Sequence, residues 1–220
     1  MSRAEQTRLL RELGDYESGV GATERAAAAG LIAAEGADVV VLVEGVSDQV
    51  AVEATAARMG HRLAEEAIVV LPVGGAHGVG RIIERLLPGG TALVALCDRS
   101  ERVDVVDAFE TRGLPGASVF NCDPDLEAEL IVACGESQLV TLLDERGDLA
   151  SFRTMQKQPA WRDRPFDEQM HRWIRAKARR STVFARVLLE ECDADRLPRP
   201  LVGCVDHALH GWRATLPTDR

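Results

Sequence analysis

The chain has 220 residues, 26 of them Lys or Arg and 35 Asp or Glu, giving a formal charge of −9; 46% of it is hydrophobic and only 4% aromatic. These proportions describe a globular chain long enough for one large domain, or one domain with an appendage, and 19 Gly with 9 Pro are too few for a low-complexity or collagen-like polymer. No apolar run approaches the roughly 20 residues of a membrane span, and Met1 to Arg11 has a charged helical pattern rather than that of a signal peptide; with five cysteines and no C-x-x-C pair, the expected compartment is the cytoplasm and the expected thiols are reduced.

Met1 to about Gly36 reads as two N-terminal helices, with Leu9, Leu10 and Leu13 at helical spacing and Thr23 placed to cap the Ala-rich run after it. Val39 to Val43 is a continuous aliphatic run, the pattern of a strand buried on both faces of a parallel sheet. Ser47 is the N-cap candidate of the next helix, whose apolar surface is Val50, Val52, Ala54, Ala57 and Met59. This strand–helix unit recurs three more times. Ile68 to Leu71 leads through a glycine-rich turn to a helix around Arg81 to Leu87, and Thr91 to Cys97 leads to a helix from about Val103 to Thr111. Ser118 to Asn121 leads to a helix from near Pro124 to Cys134. After Gly135 the patterns are helical, near Ser137 to Arg146, Leu149 to Gln156, Phe166 to Lys177 and Thr182 to Cys192, with Leu201 to Val205 the remaining strand candidate. Right-handed crossovers then predict an α/β fold, a Rossmann-like four-stranded parallel sheet over residues 37–134. Helices 1–36 and a helical region 135–220 flank it as parts of the same compact unit.

Ligands of open α/β sheets sit outside the carboxyl ends of the strands. The first strand runs into Glu44, with Asp48 four residues on; the third ends in Asp98; the fourth runs into Asp123, Asp125 and Glu127. All six carboxylates are expected along one sheet edge, where their mutual repulsion calls for cations. Hard oxygen donors suit Mg²⁺ or Mn²⁺, and two such ions about 3.5–4 Å apart can activate a water and stabilise the leaving oxygen in phosphodiester cleavage. Singly, each acid has an ordinary reading: Asp48 complements a helix dipole, and Asp123 caps the helix that starts at Pro124. Their joint placement after three strands carries the metal reading.

Positive charge is concentrated elsewhere. Residues 151–190 hold ten Lys or Arg against four acids, a local +6 within a chain of −9. That stretch, with Arg175 and Arg179, is the expected seat of a DNA backbone. Trp161 and Trp173 lie in it and could stack on unpaired bases, although anchoring a helical core is the commoner use. The run from Gly74 and Gly75 through His77 to Arg81 has Walker A spacing, but Arg81 and Ile82 replace the lysine and hydroxyl, so nucleotide hydrolysis is discounted. Its backbone N–H groups and His77 could meet a phosphate; equally, the glycines could permit close helix–sheet packing. Cys204, His207 and His210 lack a fourth zinc ligand.

The stretch Val41-Leu42-Val43-Glu44-Gly45-Val46-Ser47-Asp48 resembles the first motif of TOPRIM domains, the fold shared by topoisomerases, primases and OLD-type nucleases. Val73-Gly74-Gly75, Asp98 and Asp123-Pro124-Asp125-Leu126-Glu127 follow in the order of the OLD-like branch, and the chain is similar to stand-alone TOPRIM nucleotidyl transferase/hydrolase domain proteins. The resemblance implies a divalent-metal-dependent DNA endonuclease, with Glu44 as metal ligand or general acid/base and Asp48, Asp98 and Glu127 completing the metal sites. Two departures stand out. The usual D-x-D after the third strand is Asp98-Arg99-Ser100 here, so either Glu101 or the Asp123/Asp125 pair compensates, or the site is weakened. The basic residue that OLD-type nucleases use after the core has Arg180 or Lys177 as candidates, with Ser181 standing where a lysine would. Tyr16 is the only tyrosine, which argues against a topoisomerase acting alone. The 220 residues leave no room for the ABC-type ATPase of OLD nucleases. The alternative is therefore a catalytically weak TOPRIM module that binds nucleic acid or a separately encoded ATPase, alone or as an oligomer. A Rossmann-like small-molecule enzyme ranks last.

Overall fold

A computed structural model of the chain describes residues 21–34 and 36–214. The helix expected around Leu9 to Leu13, and Tyr16, lie outside the described residues. The Ala-rich run is helix α1 (Ala22–Ala34); Thr23 falls inside its first turn instead of capping it.

Strands β1 (Val39–Val43), β2 (Ile68–Pro72), β3 (Ala92–Asp98) and β4 (Val119–Cys122) form one sheet in the order β2-β1-β3-β4, with every pairing parallel. β1 lies inside the sheet, and all five of its residues are buried, which is why it reads as an unbroken apolar run rather than an alternation. Successive side chains point to opposite faces. Val39, Val41 and Val43 join one core with Val94 and Leu96 of β3, while Val40 and Leu42 join the other with Ala95 and Cys97.

Helices α3 (Ala76–Leu86) and α4 (Arg102–Glu110) cover the second face through Val79, Ile83, Val105 and Phe109. The first face carries α2 (Val46–Arg58), α5 (Leu126–Cys134) and, after α6 (Glu136–Glu145), α7 (Leu149–Gln156) and α8 (Phe166–Arg175), the long α9 (Ala178–Glu191) and α10 (Arg199–Leu209). The strand candidate Leu201 to Val205 is thus corrected to helix. Leu201, Cys204, Val205 and Ala208 are all buried at i, i+3, i+4 and i+7 spacing, a helical period that a five-residue window of apolar residues does not reveal.

All five cysteines are buried and free. Among the described residues, no helix is long and apolar enough to cross a membrane.

Candidate metal centre

Glu44 is the first residue beyond β1, and Asp48 sits in the first turn of α2, where its Oδ2 accepts the Gly45 N–H at 3.0 Å. The ordinary reading of Asp48 as a helix-terminal acid therefore holds, and a second property is added to it. Asp98 is the last residue of β3. Asp125, not Asp123, caps α5: its Oδ1 accepts the Ala128 N–H at 3.0 Å, and Pro124 lies outside the helix. The expected cap shifts by two residues because Leu126, buried to 2% exposure, has to start the helix against the core. Glu127 then falls in the first turn of α5.

These placements bring Glu44, Asp48, Asp98 and Glu127 together around a cleft of about 370 Å³, which Ser47, Gly74 and Arg175 also line. Burial and neighbouring carboxylates raise the carboxyl pKa values of three of the four. Burial pushes Asp48 up to about 8, helped by Asp98 and Glu44. Burial pushes Asp98 up to about 7, helped by Glu44, Asp125 and Glu127. Glu44 is exposed at its surface, yet partial burial and then Glu101 raise it as well. Glu101, one helical turn beyond Asp98, is thus the carboxylate that acts on Glu44 from the β3 side.

Asp125 behaves oppositely. Burial opposes its ionisation, but hydrogen bonds from His171 and Ala128 and the charge of Arg175 outweigh this and hold the carboxyl below its usual range. His171 Nε2 lies 2.7 Å from Asp125 Oδ2, the Arg175 guanidinium donates to the same oxygen, and Arg175 Nη1 is 3.9 Å from Glu127. His171 is raised in turn, chiefly by its hydrogen bond to Asp125. Among the described residues, Asp125, Glu127 and His171 form the group of potential ligands whose donor atoms all lie within 4.8 Å of one another. His171 went unnoticed in the sequence; the signal is its i, i+4 spacing from Arg175, which puts both on one flank of α8.

Other sequence candidates fall elsewhere. Asp123 is exposed and paired with Arg99 at 2.8 Å, so this carboxylate is turned from the cleft toward a surface guanidinium. Lys177 and Arg180 do not line the cleft; they line a separate pocket beside Trp161 and Trp173. Among the described residues, the cation that lines the cleft with the carboxylates is Arg175. Gly74 lines the cleft, but its N–H already donates to the Glu44 carbonyl at 2.9 Å, which removes that N–H as a phosphate donor. Gly75 precedes α3 with φ +98, a conformation suited to glycine. The side chain of His77 lies outside the described residues. Arg81 and Arg179 are exposed on α3 and α9 and are not part of the cleft wall. Cys204 is buried, His207 bonds Ser118 at 3.0 Å and His210 meets Asp206, so these three do not converge.

Residues 37–99 match the family model described as "Overcoming lysogenization defect protein-like, TOPRIM domain". No curated protein matches the chain. Among solved structures, the C-terminal region of the OLD protein of Xanthomonas campestris pv. campestris superposes with TM-score 0.58 at 22% identity, covering 81% of this chain and 95% of that one. The C-terminal region of the Burkholderia pseudomallei OLD protein gives 0.56 at 18% identity, covering 78% and 96%. At these identities the structural likeness speaks for the fold. Residues 37–99 are therefore an OLD-like TOPRIM domain, in a chain that shares the fold of the C-terminal regions of OLD proteins.

Proposed function

We propose that the chain is a divalent-metal-dependent phosphodiesterase acting on DNA, an endonuclease of OLD-like TOPRIM type. The observation that supports this most is the convergence of Glu44, Asp48, Asp98 and Glu127, delivered by three different strands, on one cleft with Arg175. The donor set fits Mg²⁺ or Mn²⁺: it consists of hard carboxylate oxygens, and Asp48 and Asp98 are raised first by burial and then by neighbouring carboxylates, whose mutual repulsion a bound cation would offset. Bound by these carboxylates, one or two ions would supply Lewis-acid charge for a phosphoryl oxygen and lower the pKa of a coordinated water.

The protein's own groups have separable tasks in this reading. Glu44 is the exposed one of these four carboxylates, and its raised pKa suits it to exchange a proton at its carboxylate oxygen with the attacking water or the leaving oxygen. Arg175 offers its guanidinium to the phosphate, offsetting charge that develops during cleavage. Asp125, itself oriented by His171 and by the helix cap, positions Arg175.

Purified protein with supercoiled plasmid and Mg²⁺ or Mn²⁺ should nick or linearise it, and Glu44→Gln should lower the rate by at least about 100-fold. No cleavage by wild type, or equal cleavage by the variant, rejects the nuclease reading. One observation favours the weaker alternative. Arg99 and Ser100 replace the second carboxylate after β3, and Arg99 is turned to Asp123. Calorimetric titration decides between them: DNA binding without divalent-ion binding selects a module that docks nucleic acid or a separately encoded ATPase.

A further inference from the structure

Lys177 and Arg180, displaced from the acidic cleft, belong to a pocket of about 390 Å³ formed by α7, α8, the start of α9 and the loop between α7 and α8. That volume is within the range of about 300–1,000 Å³ typical of small-molecule sites. Its wall carries three cations, Arg172, Lys177 and Arg180, two indoles, Trp161 and Trp173, and hydroxyl and amide groups that include Ser151; among the described residues no carboxylate lines it. Among the described residues none of the three cations makes an ion pair. Two acids of the adjoining loop and helix pair with other arginines, Asp163 with Arg162 at 3.3 Å and Glu168 with Arg164 at 3.5 Å, while the charge of Asp148, just before α7, acts on Arg180.

The two indoles differ in what they are free to do. Trp173 is buried at 3% exposure between Phe152 and Phe184, with the Arg180 guanidinium 3.5 Å above its ring, so it forms the floor. Trp161 is only partly buried, and its backbone is pinned by the amide of Gln169, itself 4% exposed, which donates to the Trp161 carbonyl at 2.7 Å. Arg172 lies 6.0 Å from the Trp161 ring centroid. The result is a partly accessible indole, held at its backbone, beside Arg172 and in a pocket that Lys177 and Arg180 also line.

We propose that this pocket holds one unpaired nucleotide of a nucleic-acid strand, its base stacked on Trp161 and its phosphate met by Arg172 and Lys177. A bare anion would have no use for the indole, and a paired base does not offer its face; an aromatic base joined to a phosphate uses both features. The pocket is also suitably placed. α8 presents His171 and Arg175 to the carboxylates and Arg172 and Trp173 to the pocket. Cleft and pocket are thus lined by residues of the same helix, so that one strand could meet both. This inference rests on the reading of the protein as one that acts on nucleic acid and adds that the strand is gripped where it is unpaired.

Binding measured in EDTA, where cleavage cannot occur, separates the two. Fluorescence anisotropy with a labelled six-nucleotide single strand should show binding at least about tenfold tighter than to a blunt duplex of the same sequence or to free dAMP. Trp161→Ala should weaken it about tenfold and Trp161→Phe should largely restore it, because stacking survives. Lys177→Gln should weaken it and reduce the salt slope by about 0.7. Unchanged thermal melts verify that the variants fold. Equal binding of duplex, or equal affinity of the Trp161→Ala variant, overturns the proposal, and dAMP binding as tightly as the oligonucleotide replaces it with a free-nucleotide site. Failure of plasmid cleavage with binding intact would count against the metal centre alone.

Discussion

Asp48 and Asp98 carry the clearest chemical signature in the molecule, because each is pushed away from ionisation by burial and by the other carboxylates. In the folded, metal-free protein they hold protons up to about pH 8 and about pH 7, whereas in the unfolded chain they release them near the ordinary aspartate value of 3.8. The folded state therefore binds more protons than the unfolded state in that window, and stability must fall as pH rises through it. Thermal melts in EDTA should show the midpoint declining by several degrees between about pH 5 and about pH 9. Asp48→Asn should flatten the decline and melt higher than wild type at the alkaline end; a pH-independent wild type would refute the assignment. Mg²⁺ or Mn²⁺, binding the folded state alone, should raise the wild-type midpoint in proportion to the logarithm of its concentration. The same addition should do little for Asp48→Asn.

Element by element, α5 and α8 are joined through one carboxylate. Asp125 caps α5 and receives His171 and Arg175 of α8, so its side chain ties the guanidinium that lines the cleft to the sheet edge. Asp125→Ala removes the cap and leaves the partly buried His171 and the exposed Arg175 without their acceptor. Urea denaturation should show a loss of about 2–4 kcal/mol. The glycine-rich turn into α3 has a packing role of its own. A Cβ at Gly78 would stand 2.3 Å from the Val73 carbonyl oxygen, a backbone atom that cannot step aside. Gly78→Ala should cost about 1–3 kcal/mol in the same assay. The run that looks like a phosphate loop is in this respect a device for seating α3 against the end of β2, and Gly74 contributes a hydrogen bond to Glu44 O rather than an open donor.

At the scale of the whole molecule, the helices after Gly135 complete one face of the sheet. Leu188, Leu189, Leu201 and Val205 share a core with Val41, Val43 and Val94, and each is essentially inaccessible. A chain ending at Cys134 would expose that apolar face, so it should show no cooperative thermal transition by circular dichroism; a sharp transition would show that the α/β part is self-sufficient. The same packing brings the basic stretch 151–190 to the acidic edge. Negative charge gathers at the strand ends and positive charge on α8 and α9, and the net charge of −9 describes neither.

The strands, their parallel order of connection and the acids at their carboxyl ends were legible in the chain itself. Unbroken aliphatic runs such as Val39 to Val43 and the residue that follows a strand are local facts, and a parallel sheet puts all its carboxyl ends on one edge. Which acid does what was not local. Asp123, Asp125 and Glu127 look alike in sequence, yet the first meets Arg99, the second is bound by His171 and Arg175, and the third faces the cleft. Arg175, Lys177 and Arg180 look alike too, but Arg175 ends α8 beside the carboxylates, whereas Lys177 stands in the extended break before α9 and Arg180 in the first turn of α9, both on the side of Trp161 and Trp173. Partners from elements some fifty residues apart, such as Asp125 and Arg175, meet only when helices pack, because the hydrophobic pattern that drives α8 onto the core specifies its buried face while the positions of its polar residues follow from that docking.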